Sequence, residues 1–139
     1  MDLLKEHFKK ETNIIDLIAL SRDIGLKNDP VVVMSDKLVG VPGNTKNVII
    51  NMAKTGSPGT HWVCFHNDKG IVSYFDSFGI IPIIEVDRFA KRHKKIVYYN
   101  TEQLQDIRSG FCGENCILFL YCMENDISIE NFLKVIRHF

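Results

Sequence analysis

A cysteine acts as a nucleophile when its sulfur is held as a thiolate within reach of an imidazole. The stretch Gln105-Asp106-Ile107-Arg108-Ser109-Gly110-Phe111-Cys112-Gly113-Glu114-Asn115-Cys116 offers one in a suitable setting. Cys112 lies between a Ser-Gly turn and the apolar run Ile117-Leu118-Phe119-Leu120-Tyr121, which reads as a buried helix. That places it in the first helical turn, where unpaired N–H groups and the positive end of the macrodipole favour a thiolate. Taken alone, a cysteine in front of an apolar helix is more often a core residue, because free cysteine is among the most buried residue types. The nucleophile reading therefore depends on partners elsewhere in the chain.

The segments His61-Trp62-Val63-Cys64-Phe65-His66 and Ile71-Val72-Ser73-Tyr74-Phe75-Asp76, joined by Asn67-Asp68-Lys69-Gly70, read as an antiparallel hairpin. His61 opens its first strand and Asp76 closes its second, so the hairpin brings the two ends side by side. Thiol peptidase chemistry needs a nucleophile, an imidazole to carry the proton, a group that orients the imidazole, and donors for the developing oxyanion. Cys112, His61 and Asp76 are the candidates for the first three. The backbone N–H of Cys112 and the side-chain amide of Gln105 are the candidates for the last. Gly110 and Gly113 flank the nucleophile and leave room for a substrate backbone, and Trp62 stands beside the base. The mechanism calls for no cofactor and no metal.

The remaining elements must carry these residues. A helix is expected from Thr12 to Ile24, with Thr12 or Asn13 as N-cap and Gly25 as its stop. Strands are expected at Val31–Met34, Lys46–Met52 and Ile96–Tyr99, and helices at Glu85–Lys94, from Ser109 or Gly110 to Met123, and from Ser128 to Phe139. Asn28-Asp29-Pro30, Gly40 to Asn44, Gly56-Ser57-Pro58-Gly59 and Asn100 to Asp106 read as turns or loops. The fold class that follows is α+β: a small mixed or antiparallel sheet flanked by helices, with a buried, nucleophile-bearing central helix, in one domain spanning 1–139.

Composition narrows the partners. The chain has 17 Lys+Arg against 17 Asp+Glu, a formal net charge of zero, and thus no long-range attraction for nucleic acid or an anionic membrane. The local cluster Lys91-Arg92-His93-Lys94-Lys95 reads as a solvated helix end. Neither a spanning apolar run nor a signal-peptide pattern is present, so an intracellular protein with no membrane partner is expected. Of the cysteines Cys64, Cys112, Cys116 and Cys122, three fall on one expected helix, where a bridge between Cys112 and Cys116 would distort it; reduced thiols are expected.

In order and spacing, these motifs resemble the adenovirus maturation proteinase and, more broadly, the ubiquitin-like-protein protease superfamily. His61-Trp62 resembles the catalytic His-Trp of that family, and Asp76-Ser77-Phe78-Gly79 its acidic residue followed by Phe-Gly. Gln105, Ser109, Cys112, Gly113, Cys116, Phe119 and Leu120 are similar to the oxyanion glutamine and nucleophile helix, without a gap. Ser35-Asp36-Lys37 with Pro42-Gly43 resembles, less specifically, the segment before the histidine. The adenoviral enzymes usually carry Glu where Asp76 stands; Asp-Ser is closer to the SUMO-protease form.

The resemblance implies a papain-like, adenain-like cysteine protease core, and a minimal viral or virophage maturation protease. It would cleave capsid or scaffold precursor proteins after glycine or another small residue, in the virion and the host cytoplasm or nucleus. The disulfide-joined peptide activator of the adenoviral enzyme is not expected, since no cysteine lies between Cys64 and Cys112. The neutral charge gives no support to stimulation by nucleic acid. Three alternatives remain: an isopeptidase acting on ubiquitin-like modifiers, an acyltransferase built on a similar site, and a non-catalytic metal-binding module using His61, Cys64, His66, Cys112, Cys116 and Cys122.

Overall fold

The computed structural model describes residues 14–52, 61–103 and 112–136. In chain order these form α1 (Ile14–Asp23), β1 (Val31–Met34), a short 3-10 helix (Ser35–Gly40), β2 (Asn47–Asn51), β3 (Trp62–Asp68), β4 (Ile71–Phe75), α2 (Ile84–Arg92), β5 (Ile96–Tyr99), α3 (Cys112–Glu124) and α4 (Ile129–Ile136). The expected starts at Thr12, Asn13, Ser109 and Gly110, and the turn at Gly56–Gly59, lie outside the described residues.

The five strands form one sheet in the order β1-β2-β3-β4-β5. The central pairs β2–β3 and β3–β4 are antiparallel, whereas β1–β2 and β4–β5 are parallel. A parallel neighbour requires a crossover. Between β4 and β5 that crossover is α2, which sequence periodicity anticipates; between β1 and β2 it includes the 3-10 helix, at residues to which the sequence assigned no element, followed by the expected loop from Gly40. Leu38 of this turn is fully buried, so the crossover also covers part of the sheet.

The alternation of side chains along a strand divides the core into two layers. Ile49, Cys64 and Phe75 join Leu17, Leu20, Cys116, Phe119 and Phe132 on the face covered by α1, α3 and α4. Val48, Ile50, Val63, Phe65, Val72 and Tyr74 join Leu38, Val86 and Phe89 on the other. Strand β3 is buried on both faces from Trp62 to Phe65, which explains its continuous apolar run. On the first face, Phe75, Phe119 and Phe132 meet with centroids 5.0 to 5.3 Å apart.

Helix ends follow local chemistry. Gly25 takes φ +86 just past α1, the left-handed conformation that suits glycine after a helix. Ser128 Oγ accepts the Asn131 N–H at 3.1 Å and so caps α4. At the basic end of α2, Lys91, Arg92 and Lys94 are exposed.

Candidate active site

The β3–β4 hairpin closes through Lys69 (φ 51) and Gly70 (φ 80), between the paired residues Asp68 and Ile71. Two consecutive positive φ angles match the right-handed twist of the strands. The ladder runs back to Cys64↔Phe75; continued past that pair, the same register sets His61 opposite Phe78. Their rings stack there at 4.0 Å with an interplanar angle of 3°.

Below the stack, His61 Nε2–H donates to Asp76 Oδ1 at 2.7 Å, with both side chains buried. The Phe78 N–H donates to the same oxygen at 2.9 Å, so the carboxylate is fixed by a main-chain donor as well as by the imidazole. Burial is the largest single influence on His61 and disfavours its charged form. The Asp76 hydrogen bond, the neighbouring Cys112 side chain and their charges together outweigh burial, and the His61 pKa is pushed up from 6.5 to about 9. With Nε2 committed to Asp76, Nδ1 is the nitrogen left for the thiol; it makes no aligned hydrogen bond of its own. An imidazole anchored through Nε2–H keeps its other nitrogen available for proton exchange with sulfur.

Cys112 is the first residue of α3 and is half-buried. Its Sγ accepts the Trp62 backbone N–H at 3.5 Å, so β3 supplies both the adjoining imidazole and a donor to the sulfur. The other cysteines differ from it in setting. Cys116 is fully buried, Cys64 Sγ–H donates to the Cys116 carbonyl at 3.7 Å, and burial pushes the Cys116 thiol well up. Cys122 is raised by burial too. All four are free thiols.

The structure thus brings His61, Asp76 and Cys112 together. The Trp62 side chain is buried in the core beneath α3, so what this residue offers the site is its backbone N–H. Gly113 is buried within α3. Gln105 and Gly110 lie outside the described residues. The set His61, Cys64, His66, Cys112, Cys116 and Cys122 does not converge on a point: His66 lies toward the far end of β3, with Nδ1–H donating to Asn47 Oδ1 at 2.7 Å. Among the described residues no group of three or more His, Cys, Asp or Glu side chains is arranged to hold a metal ion, and no helix is long and apolar enough to cross a membrane.

Two features of the site were not legible in the sequence. The Phe78 ring on His61 belongs to a motif singled out for its order, but nothing local assigns the ring a place. Asn100, which read as the start of a loop, is buried against the Asp76 main chain. Gly79, at φ +70, lets the same loop approach: a Cβ there would stand 2.6 Å from the Glu102 carbonyl carbon.

The fold is thus an α+β core with a thiol at the start of the central helix and a His–Asp pair on the adjoining hairpin. Solved structures give the same fold. The crystal structure of the ASFV pS273R protease matches with a TM-score of 0.55 at 16% identity, over 76% of this chain and 53% of that one. Its selenomethionine form matches with a TM-score of 0.50 at 18% identity, over 63% and 38%. The chain therefore spans about half or less of the length of these structures. No family model matches the sequence, and no curated protein does.

Proposed function

We propose that this chain is a cysteine peptidase, a viral maturation endopeptidase that cleaves capsid or scaffold precursor proteins. The observation that carries the reading is the buried 2.7 Å bond from His61 to Asp76 beside the Cys112 thiol at the start of α3. The fold shared with the ASFV pS273R protease supports the viral assignment.

The proposed steps are these. Sγ of Cys112, its proton held by His61, attacks the scissile carbonyl carbon, and the carbonyl oxygen takes the negative charge. The Cys112 N–H and the Gln105 amide are the proposed donors to that oxygen. As the tetrahedral intermediate collapses, the imidazolium gives its proton to the leaving amine and a thioester remains on Cys112. His61 then removes a proton from water, which attacks the thioester, releases the acid and restores the thiol. Asp76 holds the ring in place throughout. A His61 pKa of about 9 keeps the ring protonated at neutral pH, as the first step requires. Cleavage after glycine or another small residue is proposed from the resemblance to the adenoviral and SUMO-protease families, with the virion and the host cytoplasm or nucleus as the sites of action.

A second reading keeps the chemistry and changes the substrate. Asp76-Ser77, in place of the glutamate usual in adenoviral enzymes, favours an isopeptidase acting on ubiquitin-like modifiers. The purified protein should cut its own virion precursors at new N-termini that follow small residues, and turn over fluorogenic SUMO and ubiquitin C-terminal substrates poorly. Cys112→Ala should abolish cleavage, with a fall of at least about a thousandfold. Full cleavage by that variant would end the peptidase reading, and rapid release from the SUMO or ubiquitin substrates would select the second one.

A further inference from the structure

The orienting acid stands where the sheet no longer holds it. The β4–β5 ladder ends at Tyr74↔Tyr99 and the β3–β4 ladder at Cys64↔Phe75, so the Asp76 main chain lies two residues beyond the first and one beyond the second. Asn100 takes the place of a strand. Its Oδ1 accepts the Asp76 N–H at 3.0 Å, and its Nδ2 donates to the Asp76 carbonyl at 2.6 Å. A carboxamide has the donor and acceptor of a peptide group, and here it pairs with one residue's main chain in both directions. Nδ2 also donates to the Glu102 carbonyl at 3.2 Å. Asn100 is only 4% exposed, so water does not readily replace these bonds.

We propose that Asn100 is a positioning residue of the active site, whose carboxamide clamps the Asp76 main chain and so aims the carboxylate at His61 Nε2. This rests on the peptidase reading of the His61–Asp76–Cys112 site. Four links run in series. Asn100 fixes the Asp76 backbone, the Phe78 N–H fixes Oδ1, Oδ1 fixes Nε2, and the Phe78 ring lies flat on the imidazole. The same amide ties Asp76 to Glu102, and Gly79 packs on Thr101 and Glu102. The chain continues from there, three residues on, to Gln105.

Loss of the amide should leave Asp76 bonded less well to the ring. The charged groups facing His61 are Asp76, from the end of β4, and Cys112, from α3; the Phe78 ring is uncharged. Removing the clamp weakens the first and leaves burial in place, so His61 should titrate lower. The alkaline limb of the activity profile, where the imidazolium is lost, should move down with it.

The test compares wild type with Asn100→Ala and with Asn100→Ser, which keeps a small buried hydroxyl and supplies the answer if the alanine variant does not fold. The His61 imidazole is titrated by NMR, and kcat and KM are measured against pH on a glycine-terminated fluorogenic peptide. The expected result is a His61 midpoint lower by about one unit and a kcat lower by about ten- to a hundredfold, with KM within about twofold. A midpoint unchanged from wild type, with only the melting temperature lowered, would overturn the proposal and leave Asn100 a structural residue. Failure of the peptidase reading looks different: hydrolysis would survive Cys112→Ala, while the imidazole titration would still decide the role of Asn100.

Discussion

Strand β3 is preceded by His61 and carries His66 toward its far end, each hydrogen-bonded to a side chain, and the partners set the two in opposite directions. Just before the strand, His61 donates to the carboxylate of Asp76, and its pKa is raised to about 9. Toward the end, His66 donates to the side-chain Oδ1 of Asn47, and burial, with no carboxylate bonded to the ring, lowers its pKa. The same helix serves both networks. α3 begins with Cys112 beside His61 and ends with Glu124, which accepts Nδ2–H of Asn47 at 3.0 Å.

Glu124 also accepts the N–H groups of Lys27 and Asn28 and Nδ2–H of Asn28. A carboxylate at a helix C-terminus faces the negative end of the dipole, and burial also disfavours its charge. These donors outweigh burial and hold its pKa below the usual carboxylate range. One end of the strand–helix pair presents a half-buried sulfur beside a charged ring. The other end is tied down by neutral donors. Similar residue types therefore take opposite pKa shifts at the two ends, according to whether a carboxylate or an amide meets the ring.

The comparison can be broken most sharply at Asp76. Asp76→Asn replaces the carboxylate with the kind of partner His66 has, and His61 should then titrate well below 9, since burial opposes its charge and only the thiol still favours it. kcat should fall by about a hundredfold or more, measured on the same fluorogenic peptide. If the ring still titrates near 9 in that variant, the carboxylate is not what raises it.

Stability against pH should show both histidines. His61, with its folded pKa raised, contributes stability that is complete below the unfolded value of 6.5 and is lost as pH rises through about 9. At about 1.4 kcal/mol per pKa unit, that loss reaches a few kcal/mol. His66, with its folded pKa lowered, costs nothing above 6.5 and costs stability as pH falls below it. Urea midpoints taken across pH should therefore peak near 6.5. His61→Gln should flatten the alkaline side and His66→Gln the acid side; a profile unaltered by both would show that neither ring is tuned as described.

Glu124→Ala removes the acceptor shared by Lys27, Asn28 and Asn47, and should destabilise the protein by about 1–2 kcal/mol. Activity per folded molecule at neutral pH should stay the same, and a parallel loss of kcat would show that the two ends are coupled through α3. The smallest effect is expected from Phe78→Leu, which keeps an apolar cover over His61 but removes the flat stack. A fall in kcat of about two- to fivefold, from one weak ring contact, should appear in steady-state kinetics, with the melting temperature almost unchanged.

Much of this was legible in the sequence because it depends on neighbours along the chain. The runs His61–His66 and Ile71–Asp76 around a polar loop ending in Gly70 determine a hairpin, and the hairpin brings His61 to the Asp76-Ser77-Phe78-Gly79 segment; the two-residue turn at Lys69-Gly70, and with it the register that sets His61 opposite Phe78 and not Asp76, came only with the structure. The apolar run after Cys112 determines a buried helix with the thiol at its first turn. Tertiary structure alone decided what each of these groups touches. The Trp62 N–H reaches Cys112 from 50 positions away, Asn100 reaches Asp76 across 24, and Glu124 reaches Asn28 across 96. A lone Asn after a strand reads as a turn residue, and a lone His in a strand has no sign attached to its pKa. Those properties come from desolvation and from partners delivered by the packing of sheet and helix, and no local propensity encodes them.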